Sequence, residues 1–447
     1  MVTRRSLIGG SAALAATLSL PLPAGAAPAF VRREGTRLML GGRPYRFAGA
    51  NLWYAAWLGA DAAYGDRARL VRELDALAAT GVTNLRIAAS AEDSPLRNSV
   101  KPAFHGAAPD SADPALLGGL DFCLAEMAKR GMKGVLYLTN FWEWSGGMMT
   151  YLYYVTGKYM DVNDPAHPWP AFPNAVASFY ANPRAVARNH DWVRKIVTRT
   201  NAVTGTAYRN DPTIMAWQLA NEPRPAGDRD AATPLLPAYY GWIRGTAKLI
   251  KSLDPNHLVS TGSEGLMGSV EDAEIYRTAH AAPEIDYLTA HIWPLNWSWV
   301  DAKDIPGTHA GASAKVADYL RQHQALAKQI GKPLVIEEFG YPRDGGGYDP
   351  EASTHYKDLY YQQIYDAVLT SARTGGPIAG SNFWAWNGAG RAAHGDHRFK
   401  PGDTAWLGDP PHEPQGWYGV FDSDASTRAV IAAHAKALAS VGEPIAT

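Results

Sequence analysis

Cysteine is nearly absent. Cys123 stands alone among 447 residues, so no intrachain disulfide can form. It lies in Leu120-Asp121-Phe122-Cys123-Leu124, on the apolar side of a helical pattern, and reads as a buried structural thiol rather than a nucleophile. An excess of either charge is absent too. The 42 basic and 43 acidic residues nearly cancel, and no basic run or stripe appears. That argues against a nucleic-acid partner and suits a neutral substrate. Past the N-terminus there is no apolar run long enough to cross a bilayer. No phosphate-cradling Gly-rich motif follows a strand, so no nucleotide cofactor is indicated. The Gly-x-Ser-x-Gly elbow of esterases is missing as well.

What is abundant is aromatic. The chain has 15 Trp and 22 Tyr, with apolar residues at 46%. That is enough for a large core, and it also supplies stiff flat faces of the kind sugar rings stack on. The length is ordinary for one decorated α/β barrel.

Residues 1–27 read as a removable signal and residues 28–447 as one catalytic domain. Thr3-Arg4-Arg5-Ser6-Leu7-Ile8 precedes an Ala-rich apolar run, and Ala24-Gly25-Ala26 offers a cleavage site. Paired arginines before the apolar stretch indicate twin-arginine export, to the periplasm or beyond. The shortness of the run, with Pro21 and Pro23 after it, argues against a membrane anchor. A single thiol agrees with a protein that folds before it is exported. The mature protein is expected to be a monomer with no membrane contact.

Strand-like and helix-like segments then alternate. The expected strands are Tyr45–Asn51, Thr83–Ser90, Gly134–Asn140, Ile214–Pro223, Leu258–Gly265, Ile285–Pro294, Leu334–Gly340 and Gly380–Asn387. Several are near-continuous apolar runs, as parallel strands covered on both faces require. Amphipathic stretches lie between them, at Asp66–Thr80, Pro114–Lys129, Pro183–Thr200, Pro237–Ser252, Val270–His280, Ala314–Ile330, Thr354–Arg373 and Ser426–Ser440. This is the count of a (β/α)8 TIM barrel. Phe30–Arg43 reads as a short N-terminal β-hairpin under the barrel. Two loops are too long to be mere connections: Phe141–Asn182 after the third strand and Gly388–Asp422 after the eighth. Both leave the carboxyl ends of strands, where this fold carries its site.

Two strands end in carboxylates. The fourth runs Ile214-Met215-Ala216-Trp217-Gln218-Leu219-Ala220 into Asn221-Glu222-Pro223. The seventh runs Leu334-Val335-Ile336 into Glu337-Glu338-Phe339-Gly340. Strand neighbours point to opposite sides, so only one of Glu337 and Glu338 is expected to face the axis. Two carboxylates facing each other across a barrel mouth suit glycosidic cleavage. One protonates the leaving oxygen, while the other attacks the anomeric carbon or activates water. Asn221 is placed to hydrogen-bond a sugar 2-hydroxyl. Either acid alone reads equally well as a structural rim residue; the pair is the signal.

Trp217-Gln218-Leu219-Ala220-Asn221-Glu222-Pro223 and Ile336-Glu337-Glu338-Phe339-Gly340 resemble the two catalytic signatures of glycoside hydrolase family 5. The likeness runs from Phe30 to about Asp424. Gly41-Gly42-Arg43-Pro44-Tyr45-Arg46-Phe47-Ala48-Gly49-Ala50-Asn51, Leu138-Thr139-Asn140-Phe141-Trp142 and Gly262-Ser263-Glu264-Gly265 resemble its β-mannanase branch. The resemblance implies that Glu222 is the acid/base and Glu338 the nucleophile, with Glu337 pointing away. It implies that Arg86 keeps Glu338 ionised and that His291 sits beside the pair. Trp293 takes the place of a Tyr common in the family and lacks its hydroxyl. Trp384 would floor the reacting sugar, and Asn140 would contact a neighbouring hydroxyl. Trp53, Trp142, Trp144, Trp297, Trp299 and Trp386 are candidates for further sugar subsites. Glu264 would bind sugar or support His291.

The implied activity is retaining hydrolysis of β-1,4-mannosidic bonds in mannan, glucomannan or mannooligosaccharides, endo-acting and metal-free. Alternatives are an exo-acting β-mannosidase, a family 5 β-glucanase, a sugar-binding protein without catalysis, or a metal-dependent barrel hydrolase. His394-Gly395-Asp396-His397 superficially looks like a metal cluster, but its Gly-rich loop serves equally as a subsite wall.

Overall fold

The computed structural model describes residues 29–108, 111–162 and 164–442. The expected signal segment lies outside them, so the export reading remains an expectation. Eight parallel strands form one sheet. They are β1 (Phe47–Asn51), β2 (Asn84–Ala88), β3 (Lys133–Tyr137), β4 (Ile214–Gln218), β5 (Leu258–Ser260), β6 (Leu288–Ile292), β7 (Leu334–Phe339) and β8 (Ile378–Phe383). Chain neighbours pair from β1 through β5 and from β6 through β8, and β8 returns to β1 through Gly380↔Phe47 and Ser381↔Ala48. Between β5 and β6 a single bridge, Ser260↔Tyr287, brings the ends together. The result is a nearly closed (β/α)8 barrel.

Nearly every residue of these strands is buried. That explains why they lack the polar alternation of a half-exposed strand. The helices follow from local chemistry. Asp113 accepts from the backbone N–H of Ala115 and Leu116, with Pro114 opening the helix Pro114–Lys129. Asn182 and Pro183 do the same for Pro183–Val197. A proline there gives up an N–H that has no helical partner anyway. Cys123, on the first of these helices, is fully buried, and burial pushes its thiol up to about 12.

Most boundaries shift by a few residues, and the strand expected to reach Pro223 ends at Gln218; three of the differences have a clear local cause. The helix expected at Ala314 begins at Ile305, because Asp304 caps Gly307 N–H and Pro306 fits the first turn. Strand β5 ends at Ser260, since Gly262 and Gly265 leave the ladder with φ of 76° and 100°. The eighth strand divides after Phe383, and Trp386–Gly388 pairs instead with Val420–Phe421 at the far end of the long loop. A short buried helix, Ala55–Gly59, was not expected.

The N-terminal hairpin gains a third short strand: Arg32–Glu34, Arg37–Leu40 and Arg43–Pro44 form an antiparallel sheet. Its Val31 and Leu38 pack with Phe47, Val135, Met215, Leu258 and Val335. These residues come from the amino ends of strands, so the sheet closes the barrel floor. Among the described residues no helix is long and apolar enough to cross a membrane.

Candidate active site

The carboxyl ends of the strands open into a cleft of about 550 Å³. Both long loops form its walls. Trp142, Glu143, Trp144 and Trp169 come from the loop after β3, and Pro410, His412, Glu413 and Trp417 from the loop after β8. Glu222 and Glu338 face each other at its base, with one oxygen of each and a ring nitrogen of His291 all within 4.8 Å of one another.

Glu222 sits just past the end of β4 in a left-handed conformation, φ 52°. Its amide donates to Gly262 O at 2.9 Å. Gly262 is required there, since a Cβ on it would lie 1.9 Å from Ala220 O. The Glu222 carboxylate accepts from Trp142 Nε1 at 2.5 Å and lies 2.6 Å from His291 Nδ1. Glu338 sits on β7, ion-paired with the Arg86 guanidinium and 3.3 Å from His291 Nδ1.

Arg86, fully buried on β2, is the organising cation. It donates to Gln218 Oε1 at 2.8 Å, Asn221 Oδ1 at 2.7 Å and Asn51 Oδ1 at 3.2 Å as well as to Glu338. The Tyr137 ring lies beneath it at 4.8 Å. The planar fork of guanidinium suits this many fixed acceptors, which an ammonium could not serve together.

Glu337 corrects the expectation from strand alternation. It does not turn out of the barrel. Its carboxylate accepts from Gln218 Nε2, meets Tyr287 Oη at 3.3 Å and lies 3.6 Å from Arg86 Nε. The pairing of β7 with β6 slips between Ile336 and Glu338, which breaks the strict two-residue period. Glu337 thus sits inside the barrel beneath Glu338, away from the cleft lining.

Three carboxylates here face two cations, Arg86 and His291, so the cluster favours holding an extra proton. Burial alone would raise the Glu222 carboxyl. The hydrogen bond and charge of His291, with Arg224 and Trp142, outweigh it and pull the group down to about 2. Burial wins at Glu338, only partly offset by His291 and Arg86, and holds it up at about 7. Burial disfavours charge on His291, but Glu338, Glu222 and Glu337 overcome it and raise the imidazole to about 9.

Glu222, His291 and Glu338 are also the described residues best grouped to hold a metal. The Arg86 cation against Glu338 and the engagement of His291 Nδ1 with Glu222 both work against a divalent ion there. In the other loop, His394 pairs with Asp403 at 2.9 Å and His397 with Gln415 O at 3.0 Å, so the two do not converge on one point.

The remaining expected residues divide. Trp384 and Trp293 line the cleft edge to face, centroids 5.9 Å apart, and Trp293 also meets the Tyr418 ring at 5.0 Å. Trp142, Trp144 and Trp297 line it too. Asn221 lines the cleft, but its side chain is spent on Arg86 and on Asn140 Oδ1, 3.1 Å away. Asn140 is fully buried and does not reach the cleft; it holds Asn221, Ser145 and the Trp142 amide. Trp53 is core, packed on Trp57, Trp144 and Trp406 and bonded to Gly408 O. Trp386 is core as well, bonded to Glu73. Both subsite expectations fail because these rings fill the space under the loops rather than the cleft. Glu264 pairs with Arg224 and accepts from Trp297 Nε1 at 3.1 Å, and its carbonyl accepts the His291 amide at 3.0 Å.

Other lining groups carried no sequence signal beyond lying in the long loops. Trp169 is 59% exposed and stacks on Trp142, centroids 6.3 Å apart, with the Arg224 guanidinium over both rings. Glu143 Oε1, His412 Nδ1 and Glu413 Oε2 are buried without a hydrogen-bond partner among the described residues. Burial raises Glu143 to about 7 and lowers His412 to about 4. Buried polar atoms left open in a cleft wall are groups a polar ligand can satisfy.

The chain has relatives of known family and structure. A family model described as GH family 5 beta-mannosidase-like matches residues 28–443. The chain is 30% identical over 414 residues to a putative mannan endo-1,4-beta-mannosidase 9 of Oryza sativa subsp. japonica, covering 90% of this chain and 88% of the relative. It resembles the crystal structure of a glycoside hydrolase family 5 mannosidase from Rhizomucor miehei, with TM-score 0.84 and 34% identity, covering 93% of this chain and 99% of that one. A variant of that mannosidase has been solved with mannosyl-fructose. An endo-1,4-beta-mannanase from the same fungus shares the fold, with TM-score 0.67 at 22% identity over 92% of this chain and 99% of that one.

Proposed function

We propose that this chain, which belongs to the β-mannosidase-like group of glycoside hydrolase family 5, hydrolyses β-1,4-mannosidic bonds with retention of configuration. The observation that carries the reading is the approach of Glu222 and Glu338 oxygens to within 4.8 Å. Retaining enzymes hold their carboxyl groups about 5 Å apart, whereas inverting ones leave roughly 6.5–9.5 Å for a water. Mannan as substrate is supported by the names of the relatives and by the mannosyl-fructose complex of the fungal mannosidase.

Glu338 attacks the anomeric carbon and forms the glycosyl–enzyme bond. Arg86 stabilises the attacking carboxylate. Glu222 gives its proton to the departing oxygen, then takes one from the water that releases the sugar. The attack needs charge on Glu338 and a proton on Glu222, the reverse of the order their surroundings favour. His291 Nδ1 lies within reach of both, at 2.6 and 3.3 Å. It passes its proton to Glu222 Oε1 and accepts the one on Glu338 Oε2, so the proton count of the site is unchanged. Positive charge developing on the sugar ring then favours the anionic form of Glu338.

Endo action is the principal reading. The alternative, removal of single terminal mannose units, is favoured by the loop 388–422, which brings Pro410, His412, Glu413 and Trp417 into the cleft wall. Mannohexaose digestion decides. Early mixtures of two- to four-sugar products mark endo cleavage, and mannose with mannopentaose marks exo cleavage. No hydrolysis of mannan or mannohexaose, with turnover of cellohexaose instead, would overturn the mannan assignment.

A further inference from the structure

A second groove of about 530 Å³ lies beside the catalytic cleft, between the loops after β5 and β6 and the helix Ile305–Ile330. Met267 lines both cavities. Trp297, in the cleft wall, meets Trp299, in the groove, edge to face with centroids 4.9 Å apart. Met267 and one aromatic pair therefore stand between the two spaces.

The groove has the chemistry of a sugar platform. Trp299 is partly exposed and wedged against Trp297 and Tyr319, so its indole is already fixed and loses little freedom on binding. Lys315 Nζ stands 5.9 Å from its ring centre. Glu271, Asp318 and Gln322 surround it with donors and acceptors. A flat apolar face inside a polar rim matches a pyranose, whose C–H face is apolar and whose edge carries hydroxyls. Mixed charge on the rim favours a neutral ligand over a polyanion.

The backbone adds an independent mark. Among the described residues, the non-glycine residues with positive φ are Glu222, Val270, Glu271, Ser298 and His397. One is in the catalytic pair, and Val270, Glu271 and Ser298 lie on the two loops that frame the groove. Such conformations are strained for residues that carry a side chain and concentrate where function holds them.

The groove also has a direction. Arg224, two residues beyond Glu222, pairs with Glu264, which accepts from Trp297. The groove therefore continues the Glu222 side of the cleft. Resting on the function proposed above, in which Glu222 protonates the leaving oxygen, we propose that this groove binds distal aglycone-side residues of a β-1,4-linked hexopyranose chain.

The test is chain-length dependence. Wild type and Trp299→Ala are compared for kcat/KM on mannotriose and mannohexaose. Loss of the platform lowers the mannohexaose value about tenfold and leaves mannotriose unchanged. A double variant of two exposed helix residues, Lys315→Ala with Gln322→Ala, spares the aromatic packing and shows a smaller loss of the same selectivity. No change on either substrate for both variants overturns the proposal. So does an equal loss on both, which would mean that Trp299 only props Trp297. If wild type ignores mannooligosaccharides but cleaves cello-oligosaccharides, the mannan reading fails, and the same comparison on cellotriose and cellohexaose decides the groove.

Discussion

Nδ1 of His291 lies 2.6 Å from Oε1 of Glu222. The same nitrogen is 3.3 Å from Glu338, so one imidazole couples the protonation of the two acids. In the proposed mechanism the active form carries one proton shared between the carboxylates. Glu338, raised to about 7, releases it as pH climbs through that value. kcat/KM for mannohexaose should therefore fall above about pH 7, and a profile flat to pH 9 would contradict the shared proton. His291→Ala should lower kcat about a hundredfold, within the range of lost proton-transfer assistance.

Glu338→Ala and Glu222→Ala should each reduce hydrolysis of mannohexaose on the order of thousands-fold. Azide separates their roles. With an aryl mannoside and azide, Glu222→Ala should give β-mannosyl azide and Glu338→Ala the α-anomer. Proton NMR of the products reads the difference, and exchanged anomers would reverse the two assignments.

Trp169 stands exposed at the cleft edge on the Trp142–Arg224 stack. Trp169→Ala should raise KM for mannohexaose several-fold with little change in kcat, as expected when about 1 kcal/mol of ring stacking is lost. An unaltered KM would show that the ring does not touch substrate.

Arg86→Lys should cost both activity and stability. The variant keeps the charge but cannot reach Gln218, Asn221, Asn51 and Glu338 together. Breaking a buried ion-pair network of this kind costs roughly 3–5 kcal/mol. Calorimetry should show a clearly lowered Tm, and a wild-type Tm would remove Arg86 from its structural role.

Two buried histidines should make the fold acid-sensitive. His323 offers Nδ1 to Tyr319 O and accepts the Leu266 amide at Nε2, a pattern only the neutral ring can make. His280 likewise sits between Tyr276 O and the Thr261 hydroxyl. Burial lowers them to about 4 and about 3. Below about 6.5 the unfolded chain binds protons that the folded chain refuses, so stability falls as pH drops from 6.5 toward 4. Denaturant midpoints between pH 7 and 4 measure it, and a constant midpoint would refute it.

The barrel was legible because its strands are buried on both faces and its helices carry Asp-Pro and Asn-Pro starts. Those signals are local. The carboxylate pair was legible because each acid closes an apolar strand. What escaped depends on three dimensions. Glu337 defied strand alternation because register slips at that point, and no composition marks a slip. Trp53 and Trp386 looked like sugar platforms, yet the loops above them needed a core of their own. His412 and Glu413 sit in an irregular loop with no period to place them. Asn140 was recognisable as important, but its partner is Asn221 rather than a ligand.

Arg86 on β2 grips Asn51 of β1, Gln218 of β4 and Glu338 of β7 at once. Those contacts exist only after the first and last quarters of the chain have met. A nascent or half-assembled molecule is therefore catalytically silent, and the onset of hydrolysis during renaturation times the closing of the ring.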